Sequence, residues 1–299
     1  MSTLQEWKVE KPWLETHCGL GEGPFFEEET NTIRFVDIKK KRVHTASVEA
    51  GQSSLTTMQL DVCPTVTSDI EGVDPRERIL LGIKYGIAVL DRATGKYEIV
   101  QQFEEPNNER VRSNDGAADP NGRFWLGTMT DFGIGDFQAE GSLYRFGASQ
   151  KEEFLKDLTI PNSVGWSPDN KIMYFTHSTS QEVFAFDYDV STGEVSNRRL
   201  FYAHDGTGDP DGFRVDVDGN IWHAVYGESR VLKISPEGKL IGQVLLPTKN
   251  ITCVQFVGTE LVITSASDEE GEGSSKEFGG CVFRVDVGVR GLKLFKFKL

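Results

Sequence analysis

The segment GRFWLGTM, residues 122–129, holds the key to the fold. A turn glycine leads into an apolar and aromatic run long enough for one strand and too short for a buried helix. The arrangement recurs on both sides, as NTIRFVDI (31–38), RERILLGI (76–83), NKIMYFTH (170–177), GNIWHAVY (219–226) and TELVITSA (259–266). Their first large apolar residues are Ile33, Ile79, Phe124, Ile172, Ile221 and Leu261, so the gaps by subtraction are 46, 45, 48, 49 and 40 residues. A repeat of this length marks propeller blades. Each copy is followed by a second alternating strand, such as RVHTASV (42–48) or CVFRVDV (281–287), and most by a third, such as YEIVQQF (97–103). DRATGK, DVSTGE and SPEGK supply glycine-containing turns between them. No helical period of useful length appears, and the pattern predicts an all-β fold, a six-bladed β-propeller of four-stranded blades.

Nothing in the composition splits the chain, so residues 1–299 are expected to form a single propeller domain. The acidic, glycine- and serine-rich stretch SDEEGEGSSKEFGG (267–280) reads as an exposed loop. A chain of this length buries roughly three quarters of its unfolded surface and needs no disulfide or metal merely to fold. Its formal charge of -14 repels phosphate backbones and anionic membranes, and KKKR at Lys39–Arg42 is the largest basic patch. Nucleic acid and membranes are therefore not expected partners. Cys18, Cys63, Cys253 and Cys281 stand far apart without a C-x-x-C pair, which fits reduced thiols. With no leader-like apolar segment at the N-terminus, the expected location is cytoplasmic.

Counting back about ten residues from each marker reaches the strand before it. The positions are Glu22 (eleven back), Asp69, Asn114, Asn162, Asp211 and, one residue off, Thr252. All six are polar. Innermost strands line the channel of a propeller, so residues at one offset converge on one end of it. Two carboxylates about 4 Å apart repel by roughly 4 kcal/mol at an effective dielectric near 20. A divalent cation turns that repulsion into attraction, with Glu22 and Asp211 as anionic ligands and amide oxygens from Asn114 and Asn162. An oxygen shell suits Ca, Mg or Mn, and zinc also accepts carboxylate. Asp69 and Thr252 read as channel lining. Asp119, Asp169 and Asp218, in DPNG, SPDN and DVDG, read as turn formers.

The ordered set GEGPFF, FVDI, RSNDGAADPNGRFWLGTM, PNSVGWSPDNKIMYF and DPDGFRVDVDGNIWHAVY resembles the gluconolactonase/regucalcin family from about Gly19 to about Gly291. That resemblance implies one divalent metal ion, Ca, Zn, Mn or Mg, held by Glu22, Asn162 and Asp211. It implies a small-molecule sugar lactone as partner, with Arg112 and Asn114 holding its hydroxyls and Asp211 as ligand and general base. Three departures stand out. After GTM the chain reads Thr130, Asp131, Phe132, so Asp131 is the nearest acidic candidate for a substrate contact without being aligned with the family's. PNS replaces the commoner SNG and places Ser163 behind Asn162. His177 occupies a position where aspartate is frequent, and serves either as a strand residue or as a pocket contact.

The expected activity is metal-dependent hydrolysis of an aldonolactone. A broader metal-dependent esterase or phosphotriesterase is a second reading, and a calcium-binding protein without activity a third. The stretch 130–142, with Gly133, Gly135, Phe132 and Phe137, is either a lid or a plain inter-strand loop. Neither a G-x-S-x-G elbow nor an H-E-x-x-H spacing is present, which disfavours serine-triad and zincin chemistry.

Overall fold

The structure, a computed structural model, describes residues 4–103 and 108–299. Six antiparallel sheets stand round a central channel as the blades of a β-propeller. The innermost strands are Gly21–Glu27, Pro64–Ser68, Val111–Ala118, Pro161–Trp166, Asp209–Val215 and Ile251–Val257. The repeated sequence segments form the second strands, and in Phe124–Thr130 every residue is buried. Both faces of such a strand are covered by neighbouring blades, which is why the segments read as continuous apolar runs instead of alternating ones. Six apolar clusters fill the spaces between blades. Trp125, Phe175 and Phe186 join the third to the fourth, and Ile33, Val262 and Val282 join the first to the sixth.

Four blades have four strands. The fifth adds an N-terminal strand, Gln5–Lys8, parallel to Leu240–Leu245. The sixth has three strands of its own. Its edge is met by the next stretch of the N-terminal segment: the Trp13 and Leu14 amides donate to Val282 O at 2.8 and 3.0 Å, and Val282 N returns a bond to Leu14 O at 2.9 Å. One N-terminal segment thus fastens the last two blades before the chain enters the first. The stretch 267–280 contains a short helix, Gly273–Phe278, where the sequence predicts only a loop. Its serines dock it: Lys249 N donates to Ser275 Oγ at 2.9 Å and Ser274 Oγ to Pro247 O at 3.0 Å.

At the end of the channel where the inner strands finish, the C-terminal residues lie across the opening. Leu292 N donates to Val215 O at 3.0 Å, Phe297 N to Asp69 O at 2.9 Å and Lys298 N to Gly122 O at 2.7 Å. The Phe297 ring is fully buried and meets Phe124 edge-on. Phe297→Ala is expected to cost about 3–5 kcal/mol, the usual range for emptying a packed phenylalanine site. Denaturant unfolding would measure it, and a loss below about 1 kcal/mol would show that the tail is not part of the core.

Candidate active site at the mouth of the channel

Near the start of each innermost strand the pairing with the second strand slips. The breaks fall at Glu22/Phe25, Pro64/Val66, Ser113/Gly116, Pro161/Val164, Pro210/Phe213 and Ile251/Cys253. A bulge of this kind re-aims side chains and frees polar groups from the ladder. Glycine permits two of them. Gly23 has φ 55°, and a Cβ at Gly212 would collide with Cys253. Five of the six bulges contain or adjoin the residue selected by the repeat, and the second blade differs. Its link between inner and second strands covers residues 69–77, against 119–123 in the third blade. Counting back ten from Ile79 therefore reaches the link and not the strand. Thr65 occupies the bulge, and Asp69 lies at the opposite end, ion-paired to Arg34 at 2.9 Å. The expectation that Asp69 shares the ring of Glu22 is corrected accordingly.

The mouth gathers three acidic side chains. Asn162 Nδ2 donates to Asp211 Oδ1 at 2.6 Å and to Ser178 Oγ at 3.1 Å. Its own Oδ1 accepts from Ser163 N at 2.9 Å. Glu22 is buried and accepts from Gly23 N at 3.0 Å. Burial drives its carboxyl well above the ordinary range, and the negative charges of Asp211 and Asp115 add to the rise. Burial likewise raises Asp211; the Asn162 hydrogen bond works against that, while Asp115 and Asp209 add to it.

Two of the contributing residues stand outside the sequence selection. Asp115 is buried, accepts from Gly116 N at 2.8 Å, and is bonded by the Ser163 hydroxyl, which in turn accepts Phe213 N at 3.0 Å. It is adjacent to Asn114, and an offset that named one residue per blade could not choose between them. His223 donates through Nε2 to the Asp211 carbonyl at 3.1 Å. Burial pulls its pKa down to about 3, so the ring stays neutral and holds the backbone beneath Asp211. Only its alternate position to Trp222 in a strand could have drawn attention to it.

Arg112 is buried at the same mouth. Burial lowers its pKa to about 10, against the pull of Asp131, Glu22 and Asp211, and it stays cationic at neutral pH. One guanidinium nitrogen donates to Ser113 O at 2.7 Å and to Asn114 Oδ1 at 3.2 Å, while Nε has no hydrogen-bond partner. Asn114 also donates to Pro161 O at 3.0 Å, so both ends of its amide are engaged within the protein. Asp131 lies 3.8 Å from Arg112 Nε and pairs with Lys84 at 2.7 Å. The Arg112 guanidinium lies over the Phe132 ring at 4.2 Å, which brings the start of the 130–142 stretch to the rim. His177 sits at the end of its strand and accepts from Thr159 N at 3.1 Å.

The cavities at the far end of the channel include an apolar one between the inner strands and the tail, lined by Phe25, Trp166, Phe213 and Phe295. No helix among the described residues is long and apolar enough to cross a membrane.

Fold and site together define a six-bladed propeller whose channel opens among buried carboxylates, an amide and an arginine. Residues 20–267 match the family described as SMP-30/Gluconolactonase/LRE-like region, and the chain belongs to that family. It is 32% identical over 295 residues to regucalcin of Bos taurus, covering 95% of this chain and 96% of the relative. It is also 32% identical over 300 residues to a pentonolactonase of Haloferax volcanii, with the same two coverages. Among solved structures, a calcium-binding regucalcin from Agrobacterium tumefaciens superposes with a TM-score of 0.90 at 26% identity, over 99% of this chain and 100% of the other. These names place the chain in a lactonase enzyme family.

The raised carboxyls have a consequence for stability. A folded-state pKa above the unfolded one means that folding retains protons, so the contribution is present at low pH and lost as pH rises past the ordinary glutamate value of 4.5. In chelator, the melting temperature is expected to fall as pH rises above the ordinary glutamate value, and Glu22→Gln should remove much of that fall. Identical pH profiles for the two proteins in a thermal melt would contradict the coupling.

Proposed function

We propose that this protein hydrolyses a sugar lactone, an aldonolactone, to the open aldonic acid with one divalent cation, Ca, Zn, Mn or Mg. The carrying observation is that Glu22, Asp211 and Asp115 lie close enough for Glu22 and Asp211 to be raised by the neighbouring charges, with Asn162 bonded to Asp211 and a single buried guanidinium beside them. Such a group of anions is costly to bury unless protons or a cation compensate it. Glu22, Asn162 and Asp211 offer a hard-oxygen set that fits. Asn162 now presents its amide nitrogen to Asp211; to ligate, it turns its isosteric oxygen to that side. The pentonolactonase relative, matched along nearly the whole chain, supports the reaction class.

A cation held by Glu22, Asn162 and Asp211 would supply Lewis-acid polarisation of the lactone carbonyl and would lower the pKa of a water molecule. Asp211 accepts the proton of the attacking water as general base; its backbone is steadied by His223 and its carboxylate by Asn162. Arg112, a buried cation at the mouth whose Nε lacks a hydrogen-bond partner, orients the hydroxyls. Asn114 and Asp131 act mainly through it, because both are already engaged with it. A substrate without a hydroxyl at that point leaves a buried donor unpaired, which is the physical basis of selectivity.

One observation favours a wider esterase. Phe132, Ile134 and Phe137 in the rim stretch are 36%, 41% and 44% exposed, and could meet an apolar substituent. A protein stripped with chelator and reloaded with each ion, given five- and six-membered lactones and an aryl ester, decides between the readings. Lactone turnover supports the proposal, ester turnover alone supports the esterase, and metal-dependent stabilisation without turnover leaves a calcium-binding protein. Asp211→Ala should lower kcat/KM by about 10²–10⁴-fold. Asp218→Ala, at an exposed turn in the same blade, should leave it unchanged, and equal activity of the two variants would remove Asp211 from the mechanism.

A further inference from the structure

A second group of metal-ligating side chains lies away from the mouth. Cys18, Asp37 and His44 are 1%, 0% and 4% exposed, and one ligand atom from each lies within 4.8 Å of the others. We propose that these three residues form a zinc site at the seam where the sixth blade meets the first. The site does not depend on the lactonase reading.

The chemistry of the three donors is specific. Thiolate, imidazole and carboxylate together suit a borderline-soft ion, and zinc takes all three, with sulfur at about 2.3 Å and nitrogen or oxygen at about 2.0–2.2 Å. Closing the existing group onto an ion needs side-chain movements of about an ångström. His44 is set for the task. Its Nδ1 is hydrogen-bonded to Thr57 Oγ1 at 2.9 Å, and its ring is stacked on Phe35 at 5.0 Å. An imidazole held through one nitrogen in this way presents the lone pair of the other. That other nitrogen, Nε2, is buried without a hydrogen-bond partner. A buried polar atom left unpaired is uncommon and calls for a ligand. Asp37 Oδ2 accepts Gly19 N at 2.9 Å and the carboxylate is also hydrogen-bonded by the Cys18 thiol, whose proton an ion would replace; Oδ1 is taken by Leu20 N at 3.2 Å and Lys40 N at 3.0 Å. On binding, the Cys18 thiol releases its proton to solvent and its sulfur bonds to the ion. An enclosed water molecule completes four-coordination.

Location gives the site its role. Cys18 follows the segment whose Leu14 pairs with Val282 of the sixth blade, and precedes the strand that carries Glu22 in the first. Asp37 and His44 belong to the second strand and the third strand of the first blade. An ion here fastens the incoming segment to that blade. Because the site is closed to solvent, its function is structural, and it positions Glu22 through the three residues that separate it from Cys18.

Cobalt(II) titration of the chelator-stripped full chain tests this, because sulfur-to-cobalt charge transfer absorbs in the near ultraviolet and an oxygen-only site produces no such band. The wild type, Asp211→Ala and Cys253→Ala should each show the band, saturating at one equivalent and bleached by zinc. Cys18→Ala should lose it. Where Cys18→Ala melts below the assay temperature, His44→Gln keeps the thiol and should weaken cobalt binding at least tenfold. Absence of the band in the wild type, its survival in folded Cys18→Ala, unchanged affinity in His44→Gln, or its loss with Cys253 would each overturn the assignment.

Discussion

Ring closure is the constraint on which the rest of this molecule rests. A blade buries both faces of its inner strands only if neighbours stand on each side, so the six apolar layers exist together or not at all. The last blade cannot supply its own outer edge. Residues 5–14 resolve this by pairing along Leu240–Leu245 and then with Val282, so that strand hydrogen bonds from the chain's beginning hold its end in place. The tail across the far opening adds a second tie, since Phe297, Leu292 and Lys298 bond to the second, fifth and third blades.

Closure also creates the electrostatic problem at the mouth. Glu22, Asp115 and Asp211 come from three blades and meet only because the ring is shut. At Glu22 and Asp211 burial and the neighbouring negative charges outweigh what Arg112 returns, and both carboxyls are raised. Neighbouring groups manage it in part. Asn162 bridges to Asp211, Ser163 to Asp115, and neutral His223 anchors the backbone without adding charge.

The departure of this chain at Ser163 has a visible structural use. Its hydroxyl links Asp115 in the third blade to Phe213 N in the fifth, across the strand that carries Asn162. One side chain thus ties three inner strands at the level of the acids. At the rim, Phe132 under Arg112 adds an apolar surface beside the guanidinium.

Much of this was legible in the linear chain. The six markers fixed blade number and order, because strands covered on both faces must be apolar throughout, and the offset of about ten found Glu22, Asn162 and Asp211, because short links keep that spacing constant. It failed at Asp69, where the longer link of residues 69–77 breaks the count, and it could not see that His223 and Asp115 belong with the others. Periodicity reports which face a strand buries. Which charges meet, how far burial moves their protonation, and how the N-terminal segment closes the ring are decided only in three dimensions, since they depend on distances between residues that the chain order keeps far apart.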